Sequence, residues 1–342
     1  MLPRHSRLLA FCEIIMANFF LPSLTTITFA TALPEEPATN FVSGSKETQA
    51  APWLRLNGEI EQLKLSPNGR YLAYISSYPD GLFILDSETR EIFQISKYKL
   101  NNAFVWSPEG FRLFFREVFH SAKNNSVLSE LKSFDVILKA TVSIQKFPKQ
   151  SSFLTLDPVH DVINTAHRNG IASHKLIYPS RRQQAWQKAL AGHQKSWVVA
   201  ANGILIVDPS DQKNPQKLKL PDSLPIDNFA ISPRGDFLVW QSTNLNLFMS
   251  DLNGKIKILG KGRDPSWHSE KNIIIYSAPR YVGNKVRDYD LKMHSISGVS
   301  KFITQTAHQI ERFPSWNHLT NSVVFSVENS TDIFSLKIRD TN

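Results

Sequence analysis

The sequence predicts an all-β fold: one β-propeller of four-stranded blades, seven in number. Six blades are the alternative, because residues 151–220 are poorly patterned. Three observations carry this. A Ser-Pro-x-Gly turn recurs between the same kinds of apolar run, each recurrence is followed by two further short runs, and the first and last runs of the patterned region read as parts of one blade.

The turn appears in Leu63–Tyr74 (LKLSPNGRYLAY), Phe104–Phe115 (FVWSPEGFRLFF) and Phe229–Trp240 (FAISPRGDFLVW). Degenerate copies are Pro265–Asn272 before Ile273–Tyr276, Pro314–His318 before Val323–Phe325, and Leu154–Pro158 before Val162–Ile163. A seventh is inferred from Ser196–Ala200 and the apolar run after it. In each clear copy an alternating strand ends at the turn, where Pro presets φ and Gly supplies the positive φ that reverses the chain. A second strand of aromatic and β-branched residues comes next.

Third strands read at Leu82–Asp86, Ile204–Asp208, Leu247–Asp251 and Asp332–Leu336. Fourth strands read at Ile92–Ile95, Lys217–Leu220, Ile256–Leu259 and Lys301–Thr304. Four short antiparallel strands repeating every few tens of residues describe a blade; a β-sandwich shares the turn spacing but not the recurring four-strand order. The last copy stops after its third strand, and Trp53–Asn57 aligns with the fourth-strand position. The N-terminal strand is therefore expected to complete the last blade and close the ring. Arg181–Leu190 (RRQQAWQKAL) reads as a helix inserted between blades.

Ahead of the propeller, assigned to 51–342, residues 1–32 read as a signal peptide. Arg4 and Arg7 precede an apolar run from Leu8 to Phe29, and Ala30-Thr31-Ala32 offers a small-x-small cleavage pattern. Glu13 and Pro22 interrupt that run, which argues against a membrane span; an ordinary N-terminal helix is the other reading. Residues 33–50, rich in Pro, Glu, Ser, Thr and Asn, read as a disordered linker. The single Cys, Cys12, lies inside the expected signal, so no disulfide framework or Cys-based metal site is available to the mature chain. A formal charge of +9 over 342 residues is mildly basic and spread along the chain.

The Ser-Pro-x-Gly run, with Trp106–Gly110 its fullest copy, resembles the TolB-type propeller repeat over about residues 53–338. That resemblance implies one of two settings: an envelope protein that binds partner proteins through its propeller, or a propeller that filters access to a separate peptidase domain. Residues 33–50 are too short for the α/β domain that precedes the propeller in the first setting. Nothing after 338 holds the hydrolase of the second.

No Gly-x-Ser-x-Gly elbow and no His-Glu-x-x-His occurs. Asp288-Tyr289-Asp290 opens like a calcium loop, but Lys292 and Met293 stand at the next ligand and glycine positions. His160, His167 and His174 are spaced by seven, in a stretch that reads as strands and turns rather than a helix. Lys255, Lys257, Lys261 and Arg263 read as a solvated strand edge, without the aromatic interleaving of a nucleic-acid groove.

Propellers bind where loops entering the first strands converge. Counting four residues back from each marker Trp, Leu or Ile gives Glu61, Asn102, Asp227, Arg263 and Arg312. The expectation is an exported, non-catalytic, monomeric scaffold binding an envelope protein or peptide at this channel mouth, with no cofactor, no nucleic acid and no stable membrane span. Charge reversal at Arg263 and Arg312 is expected to weaken capture without unfolding. The alternatives are a metal-dependent propeller hydrolase, lactonase or lyase, or an accessory subunit of a separately encoded enzyme. Only Glu61, Asn102 and Asp227 of the mouth set would suit a cation, and two arginines would repel one.

Overall fold

The computed structural model describes residues 50–56, 58–98, 104–121, 126–148, 153–157, 162–167, 170–175, 195–208, 211–268 and 271–338. The expected signal, most of the linker and the helix read at Arg181–Leu190 lie outside them. The described residues form seven antiparallel sheets, five of four strands and two of three, and contain no helix. The fold is a seven-bladed β-propeller.

Blade 1 is Ile60–Leu65, Tyr71–Ser77, Asp80–Asp86 and Ile92–Ser96. Blade 2 is Phe104–Trp106, Arg112–Ser121, Ser126–Asp135 and Ala140–Pro148. Blade 3 is Leu154–Asp157, Val162–His167 and Gly170–Lys175, and blade 4 is Ser196–Ala200, Gly203–Asp208 and Asp211–Lys217. Blade 5 is Ile226–Ile231, Phe237–Ser242, Asn246–Asp251 and Ile256–Lys261. Blade 6 is Arg263–Trp267, Ile273–Val282, Lys285–Ser295 and Ser300–Phe302. Blade 7 is Glu311–Asn317, Ser322–Val327 and Asp332–Lys337, completed by the N-terminal strand Ala51–Arg55, which pairs antiparallel with Asp332–Lys337. The expected closure is thus observed, with Ala51 opposite Ser335 and Arg55 opposite Asp332.

The repeated turn works the same way in its three clear copies. The serine N–H of Ser66, Ser107 and Ser232 donates across the hairpin to the carbonyls of Tyr71, Arg112 and Phe237, at 2.7, 2.7 and 2.8 Å. Each serine hydroxyl accepts the N–H of that same partner, at 2.9, 3.0 and 2.9 Å. Gly110 has φ +75°, and a Cβ there would stand 2.9 Å from the Asn68 backbone nitrogen of the neighbouring blade, so only glycine fits. In the degenerate copies the acceptor survives with a different side chain. His268 Nδ1 accepts the Lys271 N–H at 3.1 Å, and Asn317 Oδ1 accepts that of Leu319 at 3.1 Å.

Blades stack through apolar faces, with a cluster at six of the seven junctions between neighbours among the described residues, rather than around the single core of a sandwich. Tyr71, Ala73, Ile75, Leu82 and Ile84 of blade 1 bury against Phe104, Trp106, Leu113 and Phe115 of blade 2. Fully burying each such side chain is worth about 1.5–3 kcal/mol. Polar latches fix the stagger. Trp106 Nε1 donates to the Lys64 carbonyl and Trp267 Nε1 to the Ala230 carbonyl, both at 3.0 Å, and the Leu65 N–H donates to Ser315 Oγ at 2.9 Å. Blade 4 is latched on both sides: the Val199 N–H donates to Thr155 Oγ1 at 3.3 Å and Trp197 Nε1 to the Gly235 carbonyl at 2.8 Å.

The closing strand spans Ala51–Arg55 rather than Trp53–Asn57 and the outer strand of blade 6 Ser300–Phe302 rather than Lys301–Thr304, and the larger shift is in blade 4. The outer strand read at Lys217–Leu220 instead spans Asp211–Lys217, with the Leu218 N–H still bonded to the Ile204 carbonyl at 3.0 Å. A tight hairpin pairing Asp208 with Asp211 starts it early, and its polar sequence, DQKNPQK, carries no apolar alternation to betray it.

Candidate functional site at the channel mouth

The first strands of blades 1, 2, 3, 5, 6 and 7 surround a central cavity of about 480 Å³. Its wall is largely apolar, with Leu65, Phe104, Phe153, Phe229, Trp267 and Phe313 among the lining side chains. The expected mouth residues sit where these strands begin: Glu61 in blade 1, Asp227 in blade 5, Arg263 in blade 6 and Arg312 in blade 7. Asn102 lies outside the described residues.

The structure joins three of the four. Arg312 clamps Asp264, its Nε 2.6 Å from Oδ2 and its NH2 3.4 Å from Oδ1, and Glu328 lies 3.6 Å from its NH1. Asp264 is 7% exposed and has φ +56°, a left-handed backbone held in place by this pair and by Gln241. The Gln241 amide bridges blades: its Nε2 donates to Asp227 Oδ2 at 2.8 Å, and its Oε1 accepts the Asp264 N–H at 3.0 Å. Glu61 stands on the same rim, in the blade that adjoins blade 7.

Arg263 differs from Arg312. Its guanidinium lies 3.9 Å over the Tyr289 ring, and Glu328 approaches only to 4.0 Å. Its Nε and NH2 are buried and have no hydrogen-bond partner among the described residues. Burial, then repulsion from Arg312, pulls its pKa down. The Arg263 guanidinium is therefore under-bonded at the channel rim.

Sequence reasoning missed Asp264, Gln241 and Glu328, because counting back to the polar rim lands one residue short of Asp264. The pairing also bears on the charge-reversal expectation: reversing Arg312 would strand the buried Asp264 carboxylate, so that change is expected to lower stability. Asp288-Tyr289-Asp290 is strand, not loop, and Arg280 NH1 donates to Asp290 Oδ2 at 2.9 Å.

Behind the rim, Glu311 is fully buried. Its Oε2 accepts the Thr304 hydroxyl at 2.5 Å and the Leu291 N–H at 3.0 Å, and its Oε1 accepts the Thr306 hydroxyl at 3.0 Å. Burial, reinforced by nearby Asp290, pushes its pKa from 4.5 up to about 7. A raised carboxyl pKa means the folded state holds the proton more tightly than the unfolded chain does. Its contribution is complete below pH 4.5 and is lost as pH rises to about 7. Glu311→Gln, whose amide keeps the shape and can donate to Thr306, is expected to flatten stability across that window. At higher pH it should exceed the parent by about 3 kcal/mol. Urea unfolding at a series of pH values reads this directly, and parallel curves for the two proteins would refute it.

Among the described residues no group of three or more His, Cys, Asp or Glu is placed to hold a metal ion, and no helix is long and apolar enough to cross a membrane.

No protein-family model matches this sequence. No curated protein matches it either. Among solved structures the chain is similar to the β-propeller domain of Cps50 (Swd1) from Myceliophteria thermophila, with TM-score 0.52, 11% identity, and coverage of 85% of this chain and 100% of that one. It is also similar to TolB from Acinetobacter baumannii, with TM-score 0.48 and 16% identity over 76% of this chain. The chain spans 57% of the length of that TolB. At 11% identity the likeness to the Cps50 domain shows the fold alone, a β-propeller.

Proposed function

We propose that this chain is an exported, non-catalytic, monomeric propeller that docks an acidic segment of an envelope protein or peptide at its channel mouth. The observation that carries this reading is Arg263: a rim cation, stacked on Tyr289, with two buried donors left unused. Leaving such donors unmade is costly, and a partner carboxylate that opens the rim enough to reach them supplies the missing acceptor.

A second feature favours a macromolecule over a small ion. In blade 6, Arg263 pairs with Ser277, and the hairpin continues past that level to Val282 before returning at Lys285. Five residues at ~3.3 Å each raise it some ~16 Å above the rim. Tyr281, Val282 and Val286 on this hairpin are exposed, beside exposed Lys285 and Arg287. An apolar tip flanked by basic side chains suits an acidic, partly apolar partner segment.

Arg263→Met keeps a stem to pack on Tyr289 while removing the charge. It is expected to cut capture from a solubilised envelope fraction about tenfold, as expected for losing a charged hydrogen bond. Its thermal unfolding should match the parent within a few degrees. Equal capture by the variant and the parent would overturn the reading. So would a parent that retains no envelope protein.

A further inference from the structure

The central cavity contains a cation that the rim does not use. In five of the seven blades the residue before the marker position lines the cavity: Lys64, Val105, Ala230, Ser266 and Ser315. Four of these are small and uncharged, and the fifth is lysine. Leu63 and Leu65 on either side of it are buried in the cluster between blades 1 and 7. Alternation along the strand puts Gln62 and Lys64 on the face toward blade 2, and like Leu63 and Leu65 both border the cavity.

Lys64 has no carboxylate partner among the described residues. Its ammonium lies 5.3 Å from the centroid of Phe104 and donates only to the Phe104 carbonyl, at 3.3 Å. Two further polar atoms on the cavity's lining residues have no hydrogen-bond partner among the described residues. Gln62 Oε1 is buried and unbonded in a side chain only 2% exposed. Trp316 Nε1 is likewise buried and unbonded, although its counterparts Trp106 and Trp267 both donate to carbonyls of the preceding blade. A roughly 480 Å³, largely apolar chamber whose lining carries one lysine, with its Asp264 carboxylate already paired to Arg312, has the size and chemistry of a small-molecule site, whose volumes run from about 300 to 1,000 Å³.

We propose that the central channel binds an organic monocarboxylate with an apolar body, the carboxylate on Lys64 and the body against Phe104, Phe229 and Phe313. Paired burial explains why a lysine is kept there: an ammonium in an apolar wall is costly alone and is offset by an anion that brings its own hydrocarbon. Desolvation holds the Lys64 pKa down at about 8, so the free channel is charged at neutral pH and loses that charge in mild alkali.

Isothermal titration of the purified chain with decanoate, below its micelle concentration, and with decan-1-ol as the uncharged counterpart, tests this without any envelope partner. It is therefore independent of the docking reading. Decanoate is expected to bind at one site at least about tenfold more tightly than the alcohol, with a change in tryptophan emission from the lining Trp106, Trp267 and Trp316. Lys64→Met should erase that preference while leaving alcohol binding unchanged. In the unmodified chain, decanoate affinity should fall between about pH 7 and about pH 9.5 as the amine loses its proton, which keeps the test decisive should the variant fail to fold. No binding of decanoate, equal affinity for acid and alcohol, or a preference that survives Lys64→Met or the alkaline shift would each overturn the proposal.

Discussion

Deleting residues 51–56 is expected to lower the unfolding midpoint by roughly 10 °C or to abolish folding, a larger effect than trimming any other strand of similar length. The strand is the outer edge of blade 7, and its partner Asp332–Lys337 lies near the opposite end of the chain. Leu56 is 3% exposed and packs with Leu63, Leu65 and Val324, while Trp53 and Leu54 cover the same cluster from outside. The Leu56 N–H adds a bond to the Thr331 carbonyl at 2.9 Å. One fully buried and two partly buried large side chains sum to about 5 kcal/mol of apolar burial. The deletion also leaves Asp332–Lys337 as an unpaired edge, which promotes association between chains. Arg55 makes an ion pair with Asp332 but is largely exposed, so Arg55→Ala should scarcely register. Thermal unfolding of the three proteins separates ring closure from the surface pair. A deletion variant that melts with the parent would show that the N-terminal strand is ornamental and the ring is held elsewhere.

What could be read from the sequence, and what could not, divides by the range of the interaction. The Ser-Pro-x-Gly turns were legible because their chemistry is local: Ser66, Ser107 and Ser232 each satisfy partners within five residues. Ring closure was legible because a missing fourth strand at one end and a spare strand at the other are complementary even without contacts. The degenerate copies at His268 and Asn317 were placed correctly for a reason the sequence did not reveal, namely that the substituted side chains still accept a backbone N–H.

The site was legible only as a rim. Counting back from the markers found Arg263 and Arg312, yet it ranked them alike. Their difference comes from neighbours distant in sequence: Asp264 in the adjoining blade neutralises Arg312, whereas Arg263 meets a tyrosine face. Lys64 carried no signal because a lysine in an alternating strand ordinarily points to solvent. Only ring closure turns that side of the strand toward an enclosed channel. The buried Glu311 was invisible for the same reason, since its partners Leu291, Thr304 and Thr306 come from the neighbouring blade and the loop after it.

The rim ion pair itself supports the second large expectation. Asp264→Ala should destabilise the chain by about 3 kcal/mol, because it leaves Arg312 without its main counter-charge and Arg263 with one carboxylate fewer nearby. Arg312→Ala should cost a similar amount by stranding Asp264, which is 7% exposed and locked in a left-handed backbone. The two losses are not independent. The double variant removes both charges at once, so it should recover a substantial part of the sum, with a coupling energy of about 1–3 kcal/mol in a double-mutant cycle. Denaturant unfolding of the four proteins measures that coupling. If the single losses simply add, the 2.6 Å contact contributes no mutual stabilisation. The rim would then owe its shape to the Gln241 bridge, and Gln241→Ala would become the more damaging change. A large coupling would instead mean that blade 6 and blade 7 are pinned through one charged pair at the mouth. Arg263, one residue before Asp264, would then be presented on a fixed support and could meet an incoming carboxylate without first being ordered.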